Sequence, residues 1–317
     1  MIEIIKRTNI DFMKKRYIAF AVSGVLSLIG ILAIVAIARG TANLGIDFAG
    51  GTAVQVKFDK AVTLHQVRTA LETNGIKGAD LQDFPSVKKV MIVLKKAGEH
   101  TSSSTSTSSL ASIGKGLSDK VIEALTKGFP DNKIIVDSIS EIGPKVGKRL
   151  RVDALWAVIA SAIGILIYVG WRFQFSFSLG ATVATFHDVL AVLGFFYITG
   201  LEINLILLTA LLTIAGYSLT DTVVVFDRIR ENMKVLLKES IDSLINRSIN
   251  EVLSRTLITS LTVLLASIAL FIFGGEVLHD FALAMILGVL VATYSSIFVA
   301  SPVVLLWSGE KTFTKKH

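Results

Sequence analysis

Six long apolar runs constrain this chain more than any other feature of its sequence. They cover residues 18–38, 154–169, 175–198, 203–226, 257–273 and 281–307. A helix needs about 20 apolar residues to cross the hydrocarbon layer, and in lipid the backbone must satisfy its own hydrogen bonds. The mean hydropathy of +0.66 fits such a chain. The sequence therefore predicts a polytopic α-helical membrane protein with six transmembrane helices. The first run follows MKKRY and lacks a small-residue cleavage site, which predicts an uncleaved helix.

Lysine and arginine gather in loops on one side of the six runs. They lie in residues 6–16, at Arg172, in residues 228–238 and in residues 311–316. Because basic loops stay on the cytoplasmic side, we expect both ends, 1–17 and 308–317, to be cytoplasmic. These loops account for the net charge of +7, which indicates contact with membrane lipid. The charge therefore does not imply a nucleic-acid partner. The absence of cysteine excludes disulfides and argues against a Cys/His metal site.

A polar segment, residues 39–151, separates the first run from a bundle of five helices at 152–307. Alternating residues predict strands at 52–58, 79–84, 87–95 and 133–142, and helical spacing predicts helices at 63–74 and 117–127. The order β-α-β-β-α-β is typical of a ferredoxin-like α+β domain, here on the extracytoplasmic side. The Ser/Thr-rich tract at 100–109 is predicted to be a flexible insertion.

Motifs of common enzymes are missing. There is no GxSxG, HExxH or P-loop sequence, and His65 and His100 lie on a polar helix face and in the insertion. The sequence thus predicts no enzymatic activity and no cofactor. The extracytoplasmic domain is predicted to bind a partner rather than to catalyse a reaction.

Asp221 is the main candidate for chemistry, since an acid inside an apolar helix is costly and usually functional. It lies about 7–8 Å inside the cytoplasmic helix end. Ser218, Asp221, Thr222 and Val225 share one helical face, and Thr220 adds a further hydroxyl. This stripe predicts a carboxylate that gains and loses a proton. A fixed ion pair that only holds helices together is the alternative.

Arg255 is the predicted cationic partner of Asp221. It opens the fifth apolar helix and is followed by the hydroxyl residues Thr256, Thr259 and Ser260. If the fourth and fifth helices are antiparallel neighbours, its long side chain can reach Asp221. An arginine that snorkels to the interface is the equally open alternative.

Two further groups of polar residues are candidates. Asp188 lies in the middle of the third helix and is either a proton relay or a packing residue. Adjacent helical residues point about 100° apart, so we expect His187 not to face the same site. After the fourth helix the run DRIREN places Asp227, Arg228, Arg230 and Glu231 at the membrane surface. It is either a solvated helix end or a latch on the cytoplasmic face.

Five ordered motifs carry a resemblance to a known family. They are GIDFAGGT at 45–52, PKVGKRL at 144–150, HDV at 187–189, SLTDTVVVFDRIREN at 218–232 and RTLITS at 255–260. Their sequence and helix positions resemble those of the SecF family across the whole chain, apart from the Ser/Thr tract.

The resemblance implies a place in the RND (resistance-nodulation-division) superfamily, whose members couple proton flow to work outside the membrane. SecF proteins pair with SecD and assist the passage of preproteins through the SecYEG channel. In this family the acid of the SLTDT motif and the arginine of the RTLITS motif are implicated in proton transfer, which corresponds to Asp221 and Arg255.

Three other interpretations remain open. An intramembrane aspartyl protease would use Asp188 and Asp221, but the sequence YSLTD lacks the GxGD turn. A small-molecule RND exporter usually carries two six-helix halves, so this chain would be a half-unit. An inert scaffold subunit would use its charges only for structure.

Overall fold

The computed structural model describes residues 8–84, 88–95, 116–172, 175–235 and 239–308. The chain folds into two compact units. The described residues up to Asn43 join those from Ala154 onward in a helical bundle, and Leu44–Asp153 form a small α+β unit. The predicted insertion at 100–109 and residues 309–317 lie outside the described residues.

Ten α-helices occur in the described residues. In chain order they are α1 (Arg16–Arg39), α2 (Ile46–Ala49), α3 (Leu64–Thr73), α4 (Leu117–Gly128), α5 (Pro144–Arg172), α6 (Phe175–Thr199), α7 (Leu205–Val235), α8 (Ile241–Phe273), α9 (Gly275–Ser295) and α10 (Ser301–Ser308). A 3-10 turn at Met13–Lys15 leads into α1, and a π-helical segment at Ser296–Ala300 joins α9 to α10.

Six helical stretches are long and apolar enough to cross a membrane, which confirms the predicted six-span fold. Two helices are much longer than their apolar runs. Helix α5 begins at Pro144 and α8 at Ile241, where Ser240 caps the helix by accepting from the Ser243 N–H. Hydropathy marks only the part of a helix that lies in lipid, whereas the helix itself continues through polar residues until a cap ends it.

The last span, formed by α9, the π-helical segment and α10, packs against α6, α7 and α8. Small buried residues such as Ala282, Ala284 and Ala292 allow this close approach, as is usual between membrane helices. Helices α1 and α6 approach closely at Gly30. A Cβ on Gly30 would lie 2.3 Å from the Leu190 carbonyl oxygen, so only glycine fits there.

The small unit contains a four-stranded antiparallel sheet of β1 (Gly51–Phe58), β2 (Asp80–Phe84), β3 (Lys89–Lys95) and β4 (Ile134–Ile142). The strand order is β2-β3-β1-β4. Alternate residues Val54, Val56 and Phe58 are buried in a core with side chains of α3 and α4. The predicted βαββαβ order and ferredoxin-like fold are therefore confirmed, with boundaries shifted by one or two residues.

The glycine-rich motif at 45–52 forms α2 and the turn into β1. Gly50 has φ 75° and Gly51 has φ 150°, conformations that favour glycine. A Cβ on Gly51 would also lie 2.4 Å from the Leu94 carbonyl oxygen. Gly45, in contrast, has a φ of −65°, which is open to any residue.

Candidate functional site

Asp221 lies inside the bundle, with only 5% of its surface exposed. Its Oδ2 accepts a hydrogen bond of 2.8 Å from the Ser296 hydroxyl on the last span. The residues that share its helix face, Ser218, Thr222 and Val225, are also buried, so this face of α7 points into the bundle as the spacing predicts. The carboxylate thus lies in an apolar interior with a neutral hydroxyl as its hydrogen-bond partner.

Asp188 on α6 is completely buried and has more partners. Its Oδ2 accepts from Ser218 Oγ at 2.6 Å and from Ser295 Oγ at 2.7 Å. Its Oδ1 is 2.9 Å from Nδ1 of His187. The acid therefore connects α6 to α7 and to the last span.

The expectation that His187 and Asp188 face different sites is wrong. Both side chains are buried and hydrogen-bonded to each other. The 100° step describes the directions of the two Cα–Cβ bonds. The imidazole extends beyond Cβ and can rotate toward the neighbouring carboxylate. The two side chains therefore meet although their Cα–Cβ bonds diverge.

Sequence reasoning missed Ser295 and Ser296, which are both completely buried. Ser295 ends α9 and Ser296 begins the π-helical segment, and each donates to a different one of the two acids. The signal available in the sequence was the polar run TYSS inside an apolar span. The π-helical geometry, which is rare and frequent at functional sites, was not visible there.

Helices α7 and α8 are antiparallel neighbours, and three contacts fix their register. Asn232 pairs with Ser248, Arg228 with Glu251, and Tyr217 with Ser260. Interpolation between these pairs puts Asp221 level with Thr256 and Leu257, one to two residues beyond Arg255. Arg255 therefore lies close to the level of Asp221, deeper in the bundle than the end of the fourth apolar run at Phe226.

The expected direction of Arg255 is not found in this structure. Its side chain is exposed, and within the described residues it forms no ion pair with Asp221. One helical step of 100° places the next residue, buried Thr256, on the side of α8 that faces the bundle. The Thr256 hydroxyl has no hydrogen-bond partner among the described residues.

The predicted supporting hydroxyls divide into two groups. Ser218, Thr222 and Ser260 are buried, and Ser260 accepts hydrogen bonds from Tyr217 and Thr293. Thr220 and Thr259 are exposed and donate to carbonyls of their own helices, at Gly216 and at Arg255 and Thr256. These two threonines therefore do not support the acids in this structure.

The charged residues that follow Phe226 connect three helices at one end of the bundle, which we call the basic end. Asp227 lies 3.6 Å from Arg172 of α5, and Arg230 donates to the carbonyl of the same residue. Arg228 pairs with Glu231 at 2.5 Å and with Glu251 of α8 at 2.7 Å. The four predicted latch residues thus take part in contacts between and within helices.

The basic end also holds the segment that precedes α1. Asn246 Oδ1 accepts from the backbone N–H groups of Phe12 and Met13, at 2.9 and 3.0 Å. Asn250 Oδ1 accepts from Thr8 Oγ1 and the Ile10 N–H, and its Nδ2 donates to the Ile10 carbonyl. A polar cavity of about 1210 Å³ opens beside these contacts. Two asparagines one turn apart on α8 therefore bind this N-terminal arm, residues 8–13.

Within the part of the chain that the structure describes, no three His, Asp or Glu side chains come together as ligands would. The two buried acids are instead surrounded by hydroxyls and one imidazole.

Fold and site together define a class. This is a six-span membrane protein with a ferredoxin-like domain inserted after the first span. Two carboxylates are buried in its bundle, and each accepts hydrogen bonds from serine hydroxyls. The family model of the protein export membrane protein SecD/SecF, C-terminal, matches residues 120–310, and the SecD/SecF GG motif matches residues 41–62. The chain belongs to the SecF family of protein translocase subunits.

Relatives support this assignment along the whole chain. The protein translocase subunit SecF of Thermodesulfovibrio yellowstonii is 58% identical over 318 residues and is covered completely, as is this chain. The SecF subunit of Calditerrivibrio nitroreducens is 42% identical, with 96% of each chain covered.

Solved structures agree. The crystal structure of SecDF from Thermus thermophilus, described as a translocon-associated membrane protein, matches with a TM-score of 0.80 at 36% identity. The match covers 95% of this chain and 39% of that chain, so this chain spans about two fifths of the SecDF polypeptide. SecDF in a super-membrane-facing form matches with a TM-score of 0.67 and 37% identity, covering 97% and 40%.

Proposed function

We propose that this chain is an accessory subunit of the Sec protein-export machinery. Together with SecD it forms a unit, driven by the proton-motive force, that assists preproteins through the SecYEG channel. Protons are the coupling ion, and the subunit needs no cofactor and catalyses no reaction of its own. Membership of the SecF family favours this role over that of a small-molecule RND exporter half-unit.

The observation that carries the proposal is the environment of Asp221. The acid is buried at the level of Thr256 on α8 and is hydrogen-bonded to a serine rather than to a cation. Ionisable residues that face the interior of a membrane bundle mark ion pathways and proton relays in pumps and transporters. Asp188 lies nearby on α6. Both acids accept a hydrogen bond from a serine of the last span.

The proposed direction of proton flow rests on the orientation of the chain in the membrane and on a proton-motive force directed inward. The basic end carries Arg172, Arg228 and Arg230 together with the basic segment before α1, so we assign it to the cytoplasm of the inner membrane. Asp221 then takes a proton from the outer side and releases it inward. A potential of 100 mV contributes about 2.3 kcal/mol per proton, which biases a two-state packing of the helices several tens of fold.

The work on the preprotein is assigned to the inserted α+β domain. Protonation of Asp221 removes a charge from the interface of α7 with the last span, and the domain is inserted in the chain between α1 and the apolar part of α5. We expect the change in helix packing to move the domain, which then draws or holds the emerging polypeptide.

The test is preprotein export into membrane vesicles that contain this chain, SecD and SecYEG, with and without a proton gradient. Asp221→Asn keeps the size and polarity of the side chain but cannot carry a proton. We expect it to abolish the gradient-dependent part of export while the gradient-independent part remains.

Asp227→Asn is the matched control, because Asp227 lies on the same helix six residues later and is about half exposed. It should retain most of the gradient-dependent export. If Asp221→Asn exports as well as the unmodified chain in a gradient, the proposal is wrong and the acid is structural.

A further inference from the structure

Ser295 and Ser296 occupy an unusual position between the two buried acids. The hydroxyl of Ser296 lies 2.8 Å from Asp221 Oδ2, and that of Ser295 lies 2.7 Å from Asp188 Oδ2. Consecutive residues of a helix point about 100° apart, and α6 and α7 both pack against the last span. One span therefore contacts both acids through two adjacent side chains.

Each serine also has a second acceptor within reach. Ser295 Oγ is 3.1 Å from the Ala292 carbonyl oxygen, and Ser296 Oγ is 3.1 Å from the Thr293 carbonyl oxygen. A hydroxyl has one proton and two lone pairs, so it donates to only one of these acceptors at a time. The other position of the proton is a real alternative, since serine commonly donates to a carbonyl of the preceding turn.

The two acceptors match the two protonation states of an acid. An ionised carboxylate only accepts, and its charge strengthens the bond, so the serine donates to it. A protonated carboxyl carries an O–H that can donate to the serine oxygen. The serine proton then turns to the backbone carbonyl, and its own O–H bond remains intact throughout.

We propose that Ser295 and Ser296 are positioning residues for proton transfer, and that each reverses its hydrogen bond when its acid gains or loses a proton. In both states the buried carboxyl group and the hydroxyl keep a partner, so neither state leaves an unsatisfied polar group in the bundle. The inference rests on the proposed function only for its consequence in export. The reversal itself is a property of the side chains.

Other titratable groups surround the pair and are the same in the unmodified chain and in every serine variant. They are His187 beside Asp188 on α6, Tyr217 on α7 and Tyr294 on α9. From α8, the buried Thr256 hydroxyl is at this level, while Arg255 is exposed. From α1, Ser23 contacts Tyr294.

The experiment is infrared difference spectroscopy of the chain assembled with SecD in vesicles, as the pH is changed. The carbonyl bands of the protonated acids are assigned by their loss in Asp221→Asn and Asp188→Asn. Ser296→Ala should move the Asp221 band to higher wavenumber, because its protonated carboxyl loses its acceptor, and should leave the Asp188 band in place. Ser295→Ala should move the Asp188 band to higher wavenumber and leave the Asp221 band in place.

The control is Ser267→Ala, which removes a buried hydroxyl that donates to the Val263 carbonyl of its own helix. It should move neither band. Ser296→Ala should also lower gradient-driven export by roughly ten-fold, as expected for loss of a hydrogen bond to a charged group, and Ser296→Thr should restore part of it. A merely structural role would not give this crossed pattern of bands.

Two results would overturn the inference: an Asp221 band that stays in place in Ser296→Ala, or bands that both move in every serine variant. If Asp221→Asn leaves gradient-driven export unchanged, the proposed function fails while the spectra still decide the role of the serines. Failure of the two ideas is therefore distinguishable.

Discussion

At the scale of single residues, the two buried acids differ in how firmly they are held. Asp188 accepts from Ser218 and Ser295 and also bonds His187, whereas Asp221 has one well-formed bond, to Ser296. Protonation of Asp221 rearranges the fewest neighbours. We therefore expect a change of protonation at Asp221 to disturb fewer hydrogen bonds than the same change at Asp188.

Arg255 gives a prediction at this scale. It lies near the level of Asp221 but on the exposed side of α8, so any effect of its positive charge on the acid has to act without a direct contact. We expect Arg255→Met to lower gradient-driven export several-fold, and Arg255→Lys to retain much of it because the charge is kept. Export rates in vesicles with and without the gradient measure this.

Arg247→Met is the matched control for Arg255. Arg247 lies two turns earlier on the same helix and pairs with Glu239 and Glu251 at the basic end. An equal loss of export in this variant would show that the Arg255 effect comes from α8 stability, and unchanged export in Arg255→Met would exclude the arginine from proton transfer.

At the scale of elements, the start of β1 depends on one backbone conformation. Gly51 has φ 150° and no room for a Cβ against the Leu94 carbonyl of the neighbouring strand. Gly51→Ala should therefore destabilise the β1–β3 pair by on the order of 2–4 kcal/mol, the sum of backbone strain and overpacking.

Amide hydrogen exchange of residues in β1 and β3, measured on the full chain, checks this prediction. Gly143→Ala serves as the control, because a Cβ there meets nothing within 4 Å and the residue has no positive φ. Equal exchange in the two variants would contradict the role assigned to Gly51.

At the scale of the whole molecule, direct contacts join the first and the fifth spans, although the two are far apart in the sequence. Asn246 and Asn250 bind the backbone of the N-terminal arm, and Arg16 pairs with Asp242 at 2.9 Å. Because α8 bonds both to this arm and, through Glu251, to Arg228 of α7, we expect a change in the packing of α7 against α8 to affect the segment that enters α1.

The N-terminal arm gives a prediction at this scale. Asn246→Ala removes the acceptor of the Phe12 and Met13 amides, so exchange at these two amides should accelerate while exchange at Ile10, held by Asn250, changes less. Hydrogen exchange followed by mass spectrometry measures it. Asn132→Ala, in the α+β unit, is the control, and unchanged exchange at Phe12 would show that the arm is held by its apolar side chains instead.

The fold was largely predictable because its signals are local in the sequence. Hydropathy located the six spans, and the two-residue and 3.6-residue periods located the strands and helices of the inserted domain. The first residues of α5 and α8, Pro144 and Ile241, were not predicted. The apolar run covers only the part of each helix that lies in lipid, whereas the helix continues into water.

The site was predicted in part, and the reason lies in helix rotation. The sequence by itself determined that Asp188 and Asp221 lie within apolar spans and that Ser218, Asp221 and Thr222 share a face. Only the tertiary structure decided that Thr256 rather than Arg255 faces the bundle and that Ser295 and Ser296 reach the two acids. A partner across a helix interface depends on rotations of about 100° per residue and on the packing of spans far apart in the chain, and neither is written in local sequence.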